Sequence, residues 1–285
     1  MTPGETAEAL IAQFCITDPT DLDLEAIAFD AGLQVEYREL EGCEATLVGF
    51  ADKAIATIKL SGGRGRQRFS IGHEFGHWMM HRGQSFRCRA IDLDDRLVSN
   101  WSREKQANQF AAHILMPTAI FKPAVNALEN PGFSEISRLA TQFQTSLLAT
   151  SLRLTMVNNS PAVLACYSAQ GLRWHLLGVG APPRWLLKDD LHEASDAYKL
   201  LSKRHPTPVP GKKAGSVWFQ NDDARLYELH EHCVPYRKDE VLVMLYLSSQ
   251  MASARLPPKV DGQRSPMRVP LFSKNEITWR LNRAA

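Results

Sequence analysis

The sequence has few cysteines, and their spacing does not suggest a disulfide framework. Five cysteines are scattered along the 285 residues, and none of them forms a Cys-x-x-Cys pair. An odd number of cysteines at such spacing is typical of proteins that stay in a reducing compartment. We therefore expect a protein of the cytoplasm rather than a disulfide-rich secreted one.

Long apolar runs and an excess of charge are also absent from the sequence. No stretch approaches the 18 uninterrupted apolar residues of a membrane-spanning helix. The first residues, MTPGETAE, lack the basic segment and apolar core of a signal peptide. With 33 basic and 31 acidic residues, the net charge is only +2, which gives no general attraction to nucleic acid or membranes. These features predict a cytoplasmic location, no membrane partner and no specific binding to nucleic acid.

The most informative stretch is RFSIGHEFGHWMMH, residues 68–81, which contains the pattern His73-Glu74-x-x-His77. Two histidines four residues apart on a helix lie about 40° apart around its axis, so both rings project from one face. That arrangement suits one tetrahedral Zn²⁺. Glu74 lies about 100° from His73 and about 60° from His77, beside the ion. The pattern therefore predicts two ligands and the general base of a zinc peptidase.

The surrounding residues support a helix with two different faces. Ile71, Phe75 and Met79 form an apolar stripe at intervals of four residues, and His81 extends the histidine stripe about 200° away. His81 could help to hold a substrate carbonyl, but a histidine that supports a metal ligand or lies at the surface is favoured. The alternative is that two histidines stand by chance on an ordinary amphipathic helix.

A third protein ligand is expected in the next helical segment, EKQANQFAAHILMP, residues 104–117. Glu104 stands near the start of this segment, and Asn108, four residues later, lies on the same face and can orient a ligand by a hydrogen bond. Glu104 could instead be a surface residue near a helix start. The spacing does not separate it from the carboxylates of the intervening loop, which are Asp92, Asp94 and Asp95.

These two blocks together resemble the ImmA/IrrE family of bacterial metallopeptidases, over roughly the first 120 residues. The resemblance implies that His73, His77 and Glu104 bind Zn²⁺ and that Glu74 is the catalytic base. Mn²⁺ is an expected activating substitute. The resemblance further implies that the substrate is a helix-turn-helix repressor of the XRE type, or a similar antitoxin, whose cleavage relieves repression.

The chain as a whole is predicted to have an α+β fold in three parts. Residues 1–130 would form a zincin-like metallopeptidase domain, in which helices pack on a small antiparallel sheet with a hairpin at 46–50 and 54–60. Residues 131–158 resemble a helix-turn-helix. Because this segment carries only Arg138 and Arg153 as basic residues, we favour a structural helical hairpin over a DNA-binding unit.

Residues 159–285 are predicted to form a second α/β domain that senses a signal or holds the substrate. Its expected elements are a hairpin at 162–168 and 172–178, a helix at 191–201 and strands at 215–220, 224–234 and 240–247. Some members of the resembled family carry a GAF-like sensor domain in this place. His230, His232 and Cys233 alternate between the faces of a strand, so they are expected to be structural.

Three further alternatives remain open from the sequence. Cys88 could approach the metal as a thiolate, or it could be a buried structural cysteine. The protein could be a non-catalytic, zinc-containing regulatory protein that binds a partner, although a structural zinc site would not need Glu74. It could also be the toxin-like component of a toxin–antitoxin pair.

Overall fold

The protein divides into two compact units. The structure is a computed structural model that describes residues 1–61, 63–82, 84–88, 103–202 and 211–254, with Arg87 and Cys88 described by their backbone alone. The first unit consists of Met1–Leu128 and Ser134–Leu154. The second consists of Glu129–Phe133 and the described residues from Thr155 onward. The three-part division expected from the sequence, with boundaries at 130 and 158, stays a prediction.

The first unit combines helices with a four-stranded sheet. Its strands are β1 (Leu33–Arg38), β2 (Ala45–Phe50), β3 (Lys53–Lys59) and β4 (Phe86–Cys88). The helices that lie wholly or mostly in it are α1 (Pro3–Gln13), α2 (Leu24–Asp30), α3 (Arg64–Met80), α4 (Arg103–Leu115), α5 (Thr118–Asn126), α6 (Phe133–Gln142) and α7 (Leu147–Val157).

The sheet of the first unit is mixed, with the strand order β1-β3-β2-β4. The predicted hairpin is confirmed, since β2 and β3 are antiparallel neighbours. The prediction of an antiparallel sheet is wrong, because β1 pairs with β3 in parallel, Leu33 opposite Ala54. Residues 39–44 carry the chain from β1 to β2, and β3 then returns between these two strands. Alternating apolar residues identify a strand, whereas the shared core decides which strand becomes its neighbour.

The central part of helix α3 is buried within the first unit. Ile71 and Phe75 belong to the core of this unit, as the apolar stripe predicts. Every residue from Ser70 to Trp78 is buried. Trp78 donates a hydrogen bond from Nε1 to the carbonyl oxygen of Ala31 at 2.8 Å. The face that carries the histidines is therefore as well shielded from water as the face that enters the apolar core.

Helices α3 and α4 pack closely because two glycines of α3 face alanines of α4. A Cβ atom on Gly76 would lie 2.9 Å from Cα of Ala107, and one on Gly72 would lie 3.3 Å from Cα of Ala111. A side chain at position 76 would therefore collide with the backbone of α4. This close approach brings the first turn of α4 to the histidines of α3.

The helix pair α6 and α7 has the predicted turn, and one of its two arginines is buried. Gln144 turns the chain with a positive φ of 53°. Ser146 then accepts a hydrogen bond from the backbone N–H of Ala149 at 3.1 Å, which caps α7. Arg153 is only 4% exposed and donates from Nε to the carbonyl oxygen of Met116 at 3.1 Å. Since Arg153 is buried, it cannot contact phosphates, which favours the structural interpretation of this pair.

The second unit is built on a five-stranded sheet with the order β6-β5-β9-β8-β7, in which neighbouring strands are antiparallel. Its strands are β5 (Ala162–Ser168), β6 (Gly171–Leu177), β7 (Gly211–Ala214), β8 (Glu228–Pro235) and β9 (Glu240–Leu247). The helices are α8 (Asp196–Leu201) and α9 (Ser249–Ser253). The mixed α/β content is confirmed, and the GAF-like label stays a prediction.

Two local predictions for the second unit are wrong. The segment 215–220 is not a strand: Gly215–Val217 forms a 3-10 turn, and Phe219 makes a single bridge to Leu187. Its buried aromatic residues enter the core from this turn, so their apolar pattern does not indicate a strand. The predicted helix at 191–201 begins only at Asp196. Ser195 caps it by accepting a hydrogen bond from the backbone N–H of Tyr198.

Across the residues that the structure describes, none of the helices has both the length and the apolar character needed to span a membrane.

Candidate metal centre

Helices α3 and α4 bring three ligand atoms together at distances that fit one zinc ion. Nε2 of His73 lies 3.1 Å from Nε2 of His77 and 3.1 Å from Oε2 of Glu104. Nε2 of His77 lies 3.4 Å from the same oxygen. Ligand atoms bound tetrahedrally to Zn²⁺ at about 2.0–2.1 Å are about 3.3–3.4 Å from one another. The three side chains therefore form one face of a tetrahedral site, and they can bind a metal ion.

The three candidate ligands differ in their exposure to solvent. Both histidines are fully buried, whereas the Glu104 side chain is 24% exposed. The carboxylate side of the site is therefore the side that solvent reaches. Among the described residues, three side chains supply candidate ligand atoms. Three protein ligands with access from solvent are typical of catalytic zinc, whereas structural zinc is closed by four protein ligands.

A hydrogen bond to Asn108 fixes the tautomer of His73. Nδ1 of His73 lies 2.8 Å from Oδ1 of Asn108, and an amide oxygen can only accept. Nδ1 therefore carries the proton, and Nε2 presents its lone pair to the other ligand atoms. The structure places Asn108 one turn beyond Glu104 on α4, where the sequence pattern predicts it.

The ionisation states of the cluster suit a divalent cation. Burial raises the pKa of Glu104, but the neighbouring rings of His73 and His77 outweigh this effect and lower the pKa to about 2. Burial lowers the pKa of His77 and outweighs the opposing attraction of Glu104. The site therefore offers one carboxylate and neutral imidazole nitrogen, which are the donor types that zinc prefers.

Glu74 is fully buried and follows His73 directly on α3. The regular helix, which extends from Arg64 to Met80, places it beside the ligand face rather than on it. This position corresponds to the one predicted for a general base.

Two further rings surround His77. His81 lies at the C-terminal end of α3, with Nδ1 3.3 Å from Nδ1 of His77. Phe86 of β4 stacks on His77, with ring centroids 3.9 Å apart and planes inclined by 16°. Sequence reasoning did not identify Phe86, because only the pairing of β4 with β2 places this strand beside the site.

The remaining sequence candidates do not join the cluster in the described part of the chain. The side chain of Cys88 lies outside the described residues, as do the three rival carboxylates at positions 92, 94 and 95. His113, a further histidine of α4, contacts Glu8 rather than the cluster, with Nδ1 2.9 Å from Oε1. In the second unit, the His232 ring packs against Tyr246, and Cys233 lies beside the core of that unit.

Comparison with known proteins places this site within a recognised domain. Residues 57–155 match the model of the IrrE N-terminal-like domain, Peptidase_M78. A search of curated proteins found no match. One similar solved structure is described as a Mycobacterium tuberculosis transcriptional regulator. It has a TM-score of 0.59 and 13% sequence identity, and the match covers 86% of this chain and 76% of that chain. Similarity at this low identity concerns the fold alone. The segment 57–155, which carries Glu74 and the three candidate ligands, is therefore a metallopeptidase-like domain that matches the IrrE N-terminal-like family.

Proposed function

We propose that the protein is a cytoplasmic zinc-dependent endopeptidase that cleaves a helix-turn-helix repressor of the XRE type or a related antitoxin. The observation that supports this most strongly is the convergence of His73, His77 and Glu104 beside the buried Glu74. Cleavage of such a substrate would relieve repression after a stress or an inducing signal.

In this proposal His73, His77 and Glu104 hold Zn²⁺, with Mn²⁺ as an activating substitute. The ion would supply Lewis acidity, which polarises the scissile carbonyl and lowers the pKa of water. The Nε2 atoms of both histidines face the Glu104 carboxylate, where they can donate lone pairs to the ion. The Glu104 carboxylate contributes the negative charge that partly balances the cation.

Glu74 is proposed as the general base. Its carboxylate accepts a proton from the attacking water and delivers it to the leaving amine. The burial of Glu74 keeps competing solvent away from this proton transfer. A glutamine at this position would preserve the size of the side chain but could not accept the proton.

Strand β4 is the proposed docking edge for the substrate. It stands at one end of the strand order and pairs on one side with β2. An extended peptide can add to such an edge through backbone hydrogen bonds. Because Phe86 of this strand contacts the ligand His77, a peptide bound along β4 would pass close to the metal site.

The second unit is proposed to sense a signal or to hold the substrate, as a GAF-like domain would. Its five-stranded antiparallel sheet is compatible with this role. A second candidate function is that of a non-catalytic regulatory protein, since a similar solved structure is described as a transcriptional regulator. A toxin-like component bound by its antitoxin belongs to the same non-catalytic class.

The deciding experiment mixes the purified protein, loaded with Zn²⁺ or Mn²⁺, with the helix-turn-helix protein encoded beside its gene. Intact-mass spectrometry then follows both chains. The parent protein and its Glu74→Gln variant are compared with a Glu135→Gln control. Glu135 is a partly exposed residue of α6 that pairs with Arg138 and is not one of the candidate ligands. We expect one clipped product from the parent and the control, and none from Glu74→Gln, which should still bind zinc.

A stable complex without cleavage in all three samples would favour the regulatory protein or the toxin-like component. Cleavage by Glu74→Gln at the parental rate would show that the base is another group. A negative result with casein would decide nothing, because regulatory peptidases are selective.

A further inference from the structure

We infer that His81 is a positioning residue that fixes the ring of His77, so that α4 controls the orientation of both histidine ligands. This inference rests on the proposed function, because it concerns how the same metal site keeps its shape. It adds a residue whose role neither the motif nor the domain match assigns.

The contact between the two rings has the geometry of a hydrogen bond. Nδ1 of His81 lies 3.3 Å from Nδ1 of His77, one helical turn earlier. The backbone N–H of His81 also donates to the carbonyl oxygen of His77 at 2.8 Å. His81 therefore stays in register with His77 although α3 ends at Met80.

The direction of this hydrogen bond follows from the metal site. Nε2 of His77 faces His73 and Glu104, so it must present a lone pair if it is a ligand. Neutral imidazole then carries its proton on Nδ1. This proton points to Nδ1 of His81, which must accept it, and the proton of His81 must therefore be on Nε2.

A partner on α4 holds His81 in turn. The Gln106 side chain forms a hydrogen bond with His81. Helix α4 thus contacts His73 through Asn108 and contacts His77 through Gln106 and His81. The same helix supplies the third ligand, so one rigid element sets the geometry of all three donor atoms.

Phe86 restricts the remaining freedom of His77. Its ring stacks on His77 at 3.9 Å and also approaches His81, with centroids 5.9 Å apart. Stacking limits the tilt of the imidazole, but it does not select which nitrogen carries the proton. That selection requires a polar partner at Nδ1, and His81 is the residue in that position.

The test compares the variants His81→Leu and His81→Asn with the parent. Leucine fills a similar space but accepts no hydrogen bond. Asparagine places its amide oxygen near the former position of Nδ1 and can still accept. Met80→Leu, one residue earlier, is the matched control.

The affinity for Zn²⁺ is measured by competition with a chelator, and the visible spectrum of the Co²⁺-loaded proteins reports the ligand geometry. Loss of an outer partner of a ligand histidine costs about 10–100-fold in metal affinity. We expect a loss of that size and a changed spectrum for His81→Leu, recovery of most of the affinity for His81→Asn, and parental values for Met80→Leu.

The outcomes separate this inference from the proposed function. Parental affinity and spectrum in His81→Leu would overturn the positioning role while leaving the peptidase proposal in place. Equal losses in His81→Leu and His81→Asn would also overturn it, because the effect would then come from packing. A parent protein that binds neither Zn²⁺ nor Co²⁺ would overturn the proposed function as well. Unfolding curves of the metal-free variants verify that each one is folded.

Discussion

The amide oxygen of Asn108 lies 2.8 Å from Nδ1 of His73, which connects this candidate ligand of α3 to the helix that carries Glu104. The hydrogen bond fixes both the tautomer and the ring orientation of His73. It also joins two segments that are separated by 35 positions in the chain. Several expected outcomes depend on this connection between α3 and α4.

Replacement of Asn108 by leucine should weaken zinc binding. Leucine has nearly the same volume but leaves Nδ1 of His73 without its acceptor. We expect the affinity for Zn²⁺ to fall about 10–100-fold. Asn108→Asp, which retains an acceptor oxygen, should bind more tightly than Asn108→Leu in the same chelator competition. Equal affinities of Asn108→Leu and the parent would contradict the assigned role.

The substitution Gly76→Ala should separate α3 from α4. The new Cβ would lie 2.9 Å from Cα and 3.0 Å from the carbonyl oxygen of Ala107, and both of these are backbone atoms. We expect a loss of about 1–3 kcal/mol in the free energy of unfolding. Zinc binding should also decrease, because Glu104 moves with α4.

Gly72→Ala is the control for this prediction. Its Cβ would lie 3.3 Å from Cα and Cβ of Ala111, so a smaller shift of α4 relieves the contact. Urea unfolding and the zinc stoichiometry are measured for both variants. A larger effect at Gly72 than at Gly76 would disprove the packing argument.

Arg153→Met should destabilise the protein strongly. Arg153 is 4% exposed, and its guanidinium contacts Glu8 at 3.3 Å and the hydroxyl of Thr118 at 2.7 Å. Removing one partner of a buried ion pair costs about 3–5 kcal/mol. The exposed Arg138 provides the comparison: Arg138→Met should change the free energy of unfolding by less than about 0.5 kcal/mol. Similar urea midpoints for the two variants would argue against a stabilising role for Arg153.

The Glu8 carboxylate should make stability depend on pH below its ordinary pKa. Burial raises the pKa of Glu8, but hydrogen bonds from His113 and Thr118 outweigh this and lower it from 4.5. Because the folded pKa is below the unfolded pKa, the stabilisation is complete above about pH 4.5 and is lost as the pH falls through the folded pKa.

We therefore expect the free energy of unfolding to fall more steeply between about pH 4.5 and pH 3 in the parent than in Glu8→Gln. Urea unfolding across this range measures both slopes. Comparing the two proteins removes the contribution of carboxylates they share, Glu104 among them. Parallel slopes would mean that Glu8 has the same pKa in the folded and unfolded chain.

Local sequence signals predicted the elements that carry the site. The spacing of His73, Glu74 and His77 requires a helix, and α3 is one. Residues 46–50 and 54–60 alternate as strands do, and they form the hairpin β2–β3. These signals succeed because the residues that define each element are neighbours in the chain.

Contacts between segments that are distant in the chain could not be predicted from local sequence signals. The parallel pairing of β1 with β3 depends on a core that several elements share. The local sequence around His113 does not indicate its ion-pair partner, because Glu8 is 105 positions away. Phe86 reaches His77 only because β4 joins the sheet beside β2.

The sequence by itself determined that the imidazoles of His73 and His77 would share one face of a helix, with the Glu74 carboxylate beside them. Helical periodicity fixes the angles between residues that are only a few positions apart. The sequence left Glu104 among several possible third ligands. Only the tertiary structure brings Oε2 of Glu104 to 3.1 Å and 3.4 Å from the two imidazole nitrogens, while the three rival carboxylates lie outside the residues that it describes. The physical reason is the close packing of α3 on α4 at Gly76, which sets the separation of ligands that no local spacing specifies.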